Sequence, residues 1–340
     1  MNGGRRPTLE MVAMRAGVGR GTVSRVINGS DQVSPATREA VRTAIAELGY
    51  VPNHAARTLV TRRTDTVAFV IAESDDRLFA QPFFAQIVRG VSSALNEMGL
   101  QLLLTTVRSA QEYERLGDYL TAHHVDGVLL VSLHADDPLP DRLVEAGVPF
   151  VIGGRPSWQT RHPVHSVDVD NVGGAHTATR RLIETGRRRI ATVAGPPDMV
   201  AGADRLEGYH QALREAGLPP APELVARGDF SYESGESAMR RVLEAAPDVD
   251  AVFVASDPMA LAVLRVLRAA GRRIPDDVAV IGYDDSPFAP HSDPPLTSVH
   301  QPTERMGREM ARILADIAIP GTADHTERML DTHLVIRESG

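Results

Sequence analysis

From residue 66 onward, short apolar runs alternate with longer amphipathic stretches, and this alternation constrains the fold more than any other feature of the 340-residue chain. The runs Thr66–Ala72, Leu100–Thr105, Gly127–Ser132 and Val148–Ile152 read as strands buried on both faces, as in a parallel sheet covered by helices. Amphipathic patterns such as Phe83–Met98 and Leu139–Ala146 separate them. A second series follows, with strands at Ser166–Val169, Arg189–Ala194, Leu224–Ala226, Asp250–Ala255 and Val278–Tyr283, and helices over about 172–185, 203–216, 233–245 and 258–270. The expected fold class of this body is α/β, with two doubly wound parallel sheets. Ligands of such sheets bind beyond the carboxyl ends of the strands, so the loops after each strand are where a site is expected.

The first 63 residues follow a different pattern. They carry 10 Arg against 4 acidic side chains, a charge of +6, whereas the rest carries 26 Arg against 40 acids, or -14. All 36 basic residues are Arg, spread over every segment, so a single Arg says less than usual. Thr8 opens a helical pattern through Leu9, Val12, Ala13 and Ala16 that Gly17 ends. Gly19 to Asn28 then sets Val23, Val26 and Ile27 on one face and Arg20, Gly21, Thr22, Ser24 and Arg25 on the other, and Asn28-Gly29 closes the helix. A third helix starts at Ser34-Pro35, buries Val41, Ile45 and Leu48, and stops at Gly49. Three short helices with a basic tilt suggest a helix-turn-helix, whose second helix needs small side chains and Arg, Thr or Ser to meet base edges and phosphates. A small solvated helical cap fits the same pattern. After Pro52, the segment Asn53 to Arg63 has room for two turns only, too little for an isolated helix in water. It reads either as a linker or as a hinge that folds on the minor groove, with Leu59 as an apolar wedge and Ala56 allowing close approach.

Composition excludes several activities. With no Cys, there is no disulfide, thiolate nucleophile or cysteine-ligated metal. The 12 His lack HExxH spacing, and Gly17-Val18-Gly19-Arg20-Gly21 and Gly153-Gly154 match neither a phosphate loop nor a dinucleotide fingerprint. No metal, cofactor or catalytic residue is expected. The N-terminus has no apolar run behind Arg5-Arg6, and no window is apolar enough to span a bilayer, so a soluble cytoplasmic protein is expected.

In the body, polar loops follow the strands: Glu73-Ser74-Asp75-Asp76, Ser132-Leu133-His134, Gly153-Gly154-Arg155, Asp168-Val169-Asp170-Asn171, Gly195-Pro196-Pro197, Ser256-Asp257 and Asp284-Asp285. Each alone fits a helix cap or Asx turn. Together they offer the carboxylates and guanidinium groups that grip vicinal hydroxyls. In a chain with 4% aromatic residues, Phe83, Phe84, Trp158, Phe230 and Phe288 are the candidate platforms for a sugar face.

The segments TLEMVAMRAGVGRGTVSRVIN (8–28), VSPATREAV, ELGYVPNHAARTL, RLEGY (205–209), SDPMA (256–260), IGYDDS (281–286) and TSVHQP (297–302) resemble the LacI/GalR family of bacterial transcription repressors, collinearly over the whole chain. Within it, AGVGRGTVSRVINGSDQVSPATREAV, RTLVTRRTDTVA and APDVDAVF are similar to the cellobiose-responsive repressors of actinobacteria. The resemblance implies a helix-turn-helix domain (1–52), a hinge helix (53–63), and a periplasmic-binding-protein-like body (64–340) that dimerises and holds a sugar effector between two subdomains. It implies crossings between subdomains near 163, 295 and 324, giving an N-subdomain of 64–163 with 296–323 and a C-subdomain of 164–295 with 324–340.

By the same resemblance, Thr8, Arg20, Gly21, Thr22, Ser24, Arg25 and Asn28, with Asn53, His54, Ala56, Arg57 and Leu59 of the hinge, face a pseudo-palindromic double-stranded operator. Gly21 departs from the longer reader usual there. The effector set is Asp75, Phe84, Ser132, His134, Arg155, Trp158, Arg205, Phe230, Ser256, Asp257, Asp284 and Gln301, with Ser256 standing where some members have Asn. The implied function is a homodimeric repressor of sugar-utilisation genes, released by cellobiose or another β-glucoside. The alternatives are a repressor that tightens on DNA with a corepressor such as a purine, and a sugar-binding protein without regulatory role.

Overall fold

The computed structural model describes residues 7–27, 30–51, 63–107, 109–156, 164–219, 221–318 and 326–340. It divides into two compact units, Met1–Thr64 and Asp65–Gly340.

The first unit contains α1 (Leu9–Ala16), α2 (Arg20–Ile27) and α3 (Pro35–Leu48). Thr8 caps α1 by accepting from the Met11 amide at 3.4 Å, and Ser34 caps α3 by accepting from Thr37 at 3.2 Å, with Pro35 in the first turn. Gly17 (φ 67°) and Gly49 (φ 61°) end α1 and α3 in the left-handed conformation that glycine adopts without steric penalty. Val12, Val23, Val26, Val33 and Val41 form a core small enough to depend on every member.

In the body, a first sheet joins β1 (Thr66–Ile71), β2 (Gln101–Thr106), β3 (Gly127–Val131), β4 (Phe150–Gly153), β5 (His165–Val169) and β11 (Glu327–Leu330) in the order β11-β5-β4-β3-β1-β2. Every pairing in it is parallel. The second joins β6 (Ile190–Ala194), β7 (Val225–Arg227), β8 (Ala251–Val254), β9 (Ala279–Asp284), β10 (Thr297–His300) and β12 (His333–Val335) in the order β12-β10-β9-β8-β6-β7, where only the β10–β12 pair is antiparallel. Successive strand residues point to opposite faces. In β1, accordingly, Val67, Phe69 and Ile71 meet α5 (Pro82–Glu97) and α12 (Thr303–Ile317), while Ala68 and Val70 meet α6 (Ala110–Thr121) and α7 (Leu139–Ala146). The second sheet is covered in the same way, by α8 (Asn171–Glu184) and α9 (Val200–Glu215) on one face, and α10 (Tyr232–Ala245) and α11 (Asp257–Ala269) on the other. A short α4 (Asp75–Ala80) follows β1.

Glycines set the closest helix approaches. A Cβ on Gly90 of α5 would lie 2.0 Å from the Glu304 carbonyl of α12, and one on Gly208 of α9 would lie 2.2 Å from the Val172 carbonyl of α8.

The subdomain boundaries differ from those expected at 163, 295 and 324. The strand at 165–169 hydrogen-bonds to β4 and belongs to the first sheet; β10 belongs to the second; and β11 returns to the first. The crossings therefore fall after Val169, after His300 and after Leu330, each one strand later than expected. Apolar periodicity marks a segment as a buried strand but not the sheet it joins, and this shifted all three boundaries. Residues 163 and 324, and the hinge from Asn53 to Arg62, lie outside the described residues.

Candidate functional site

The carboxyl ends of the two sheets face each other, and between them lies a cavity of about 110 Å3. One water needs about 10–15 Å3 of such space, so the cavity holds several, as a ligand with many hydroxyls requires. Its walls come from the loops after β1, β3, β4, β5, β6, β7, β8 and β9 and from the second crossing.

Arg205 on α9 is the centre of the polar wall. It is 5% exposed, and its guanidinium donates to Asn171 Oδ1 at 2.9 Å, the Ala255 carbonyl at 2.6 Å, Asp284 Oδ1 at 3.4 Å and Gln301 Oε1 at 3.4 Å. It also stacks 3.6 Å from the Tyr283 ring centroid, with the Phe230 ring 5.7 Å away. Gln301 Nε2 donates to the same Asp284 oxygen at 2.7 Å. Burial raises the Asp284 pKa, and Arg205 opposes that rise. Ser132 (φ 64°), Phe230 (φ 69°) and Asp284 (φ 111°) hold left-handed backbone at three of these loops. Such strain in side chains that bear a Cβ gathers where a site is preorganised.

Three buried polar atoms on this wall lack a hydrogen-bond partner among the described residues: Ser256 Oγ, Ser286 Oγ and Asp168 Oδ2. The last lies 3.0 Å from Arg155 Nε, in ion-pair range but poorly aligned. Burial lifts the Asp168 carboxyl to about 6. Orphaned groups in a polar, roomy cavity are positions that a ligand's hydroxyls or water would satisfy. Phe83, Phe84 and Phe230 supply apolar faces.

Of the residues expected to meet an effector, Phe84, Ser132, Arg155, Arg205, Phe230, Ser256, Asp284 and Gln301 line this one cavity. Trp158 lies outside the described residues. Three others are placed elsewhere. Asp75 accepts from the Thr106 hydroxyl at 2.5 Å, in the first turn of α4. Asp257 is fully buried, accepting from the Ser286 amide and the Ser298 hydroxyl, each at 2.6 Å, so it shapes the β9 loop from behind. His134 stands outside the lining with its Nδ1 2.6 Å from Asp198 Oδ2. In each case a neighbour in the same loop lines the cavity, Glu73, Ser256 and Ser132 respectively, and the direction of one side chain within a loop has no sequence signature. Phe288, a candidate platform, is exposed away from the cavity. The expected set left out Asp168, Asn171, Glu73 and Ser286, although the segments that contain them were noted.

In the first unit, Arg20 opens α2 with its side chain in solvent, 3.2 Å from Glu10, and Gly21 and Arg25 are exposed beside it. Thr22 and Ser24 are half-buried, Val23 and Val26 point inward, and Thr8 is a helix cap. Asn28, Asn53, His54, Ala56, Arg57 and Leu59 lie outside the described residues. Nothing lies within 4 Å of where a Cβ on Gly21 would sit, so the fold does not require glycine there. Gly21→Ala is expected to raise the unfolding midpoint of this unit by a few degrees while weakening operator binding, measured by calorimetry and gel shift. A loss of stability would instead make Gly21 a structural residue.

Residues 8–53 match the model for bacterial regulatory proteins of the lacI family, and residues 179–340 match that for a periplasmic binding protein-like domain. The chain is 66% identical to the HTH-type transcriptional regulator CelR of Thermobifida fusca over 336 residues, 99% of each chain. It is 33% identical to the HTH-type transcriptional repressor CytR of Escherichia coli K12, over 98% of this chain and 96% of that one. The chain belongs to the lacI family. Among solved structures, a CelR–cellobiose complex matches at 64% identity with a TM-score of 0.80, covering 98% of this chain and 100% of the other. The lac repressor dimer bound to operator and the anti-inducer ONPF matches at 29% identity with a TM-score of 0.85, covering 98% and 99%. As a lacI-family member, the protein is a DNA-binding transcriptional regulator with a helix-turn-helix reader and a two-subdomain α/β body.

Proposed function

We propose that the protein is a homodimeric, cytoplasmic and non-enzymatic repressor of sugar-utilisation genes. It binds a pseudo-palindromic operator and is released by an uncharged sugar, cellobiose or another β-glucoside or cello-oligosaccharide. The observation that carries this reading is the cavity wall, in which Arg205, Asp284 and Gln301 are locked together beside Ser256, Ser286 and Asp168 oxygens that accept no hydrogen bond among the described residues. Arranged donors and acceptors flanked by Phe faces suit a polyhydroxylated ring. The charges that line it are three carboxylates and two guanidiniums, which disfavours an anionic ligand. The likeness to a regulator solved with cellobiose supports the same class of sugar here.

Calorimetric titration of the pure protein with cellobiose, cellotriose, maltose, trehalose and adenine, alongside gel shift on its operator, tests the proposal. Binding of the β-linked glucosides with release of DNA is expected. Binding of adenine with tighter DNA binding would establish the corepressor alternative. Turnover of a β-glucoside would overturn the non-enzymatic reading.

A further inference from the structure

The two lips of the cleft carry opposite charges and touch. The first subdomain offers Arg77 from α4, His134 from the loop after β3, and Arg155 from the loop after β4. Opposite them the second subdomain offers Asp229 after β7, Asp198 after β6, and Asp204 on α9. Arg77 pairs with Asp229, His134 with Asp198 at 2.6 Å, and Arg155 with Asp204. In each pair the cation comes from the first subdomain and the anion from the second, in a body whose net charge is -14. Glu73 ties the cationic lip together. It lies 3.3 Å from Arg77 and 3.8 Å from His134, and accepts from Ser132 at 3.1 Å. Glu73 and Asp198 together outweigh burial and raise the His134 pKa to about 9, so the imidazole is a cation at neutral pH.

We infer that these three pairs form an electrostatic latch across the effector cleft, so that affinity for an uncharged effector depends in part on charges, His134 and Asp198 among them, that stand outside the cavity. This rests on the cleft being the effector site. An effector enclosed by both subdomains binds the closed arrangement, and its apparent affinity scales with the fraction of molecules that can close. Each pair is partly exposed and contributes modestly, but three act on one equilibrium. Salt screens partly exposed charges, so a neutral ligand acquires a salt-dependent affinity. Arg155 has a second role, since it also lines the cavity and reaches Asp168 at 3.0 Å. His134 and Asp198 do not line it, so substitutions there report on closure and not on ligand contact.

The test is a double-mutant cycle in the full-length protein with His134→Gln, Asp198→Asn and both together, titrated with cellobiose at low and high salt. Each single change is expected to weaken binding about two- to five-fold, and the double to be no weaker than either single. Wild-type affinity should fall several-fold with salt, and the double variant should lose part of that dependence. Affinities indifferent to salt and to all three variants, or losses that simply add, would overturn the latch. Hydrogen–deuterium exchange without ligand reads the same contacts independently of the effector's identity. Peptides covering 131–137 and 195–202 should exchange faster in each variant than in wild type, to a similar extent in singles and double, and unchanged exchange would overturn the latch. Failure of cellobiose to bind wild type would count against the proposed effector, leaving the exchange result to decide the latch.

Discussion

Arg205→Ala is expected to abolish the effector response, weakening effector binding by at least ~100-fold while operator binding persists. Arg205 holds four acceptors from four segments: Asn171, Ala255, Asp284 and Gln301. Truncation removes a lining cation and takes a donor from each of those groups in a buried site, leaving Asp284 Oδ1 with Gln301 alone. Unsatisfied groups of that kind cost about 1–3 kcal/mol each, and more when charged. Asp284 is affected most, because burial already pushes its pKa up and Arg205 is the main influence holding it down. Without the guanidinium the carboxyl takes up a proton at higher pH, and Gln301 loses its orientation. Part of the loss should appear as stability, since removing one member of a buried pair costs about 3–5 kcal/mol. Calorimetry, gel shift and thermal unfolding of one preparation separate the effects. Normal derepression by the variant would show that the Arg205 cluster is structural only.

Gly208→Ala should destabilise the body by about 2–3 kcal/mol, lowering its unfolding midpoint by roughly 5–10 °C. The added Cβ would meet the Val172 carbonyl at 2.2 Å, the His176 amide at 2.8 Å and the Ala175 Cβ at 2.9 Å. None of these can swing aside, since all are backbone or Cβ atoms, so α8 and α9 must separate. Because α9 carries Arg205 and Asp204, the displacement also reaches the cavity and the latch, and effector affinity should fall with stability. An unchanged midpoint would mean that the two helices slide without cost. The contrast with Gly21, where a Cβ meets open space, shows that glycine composition alone predicts neither outcome.

The helix boundaries were legible because caps are local chemistry: Ser34-Pro35 and Gly49 mark both ends of α3, and Asp170 accepts from the Gly173 amide at 2.8 Å to begin α8. The alternation of buried strands was equally legible. Sheet membership was not, because β5 looks the same in sequence whether it pairs with β4 or opens a new sheet. In the site, the loops could be found from their polar residues, but Arg205, Asp284 and Gln301 lie 96 residues apart from first to last and meet only through the topology. Family resemblance implied that each belongs to the effector site, not that they bond to one another. Ser256 and Asp257 are neighbours with opposite fates: Ser256 is the N-cap residue of α11 and lines the cavity, while Asp257 opens the helix and is held behind the cavity by the Ser286 amide and the Ser298 hydroxyl.

The three crossings between the subdomains also bear on how the chain is made. Because β11 and α12 come from beyond residue 300, the first sheet cannot be completed until Leu330 has emerged, although its other strands appear by residue 169. The helix-turn-helix unit, by contrast, has all its core residues within the first 50. During synthesis the DNA-reading unit can therefore fold early, while one face of the first sheet waits for Met306, Met310 and Leu314 to cover it. A ribosome that stops before those residues releases a chain with a finished reader and an open, aggregation-prone body, so a folded body depends on translation past Leu314.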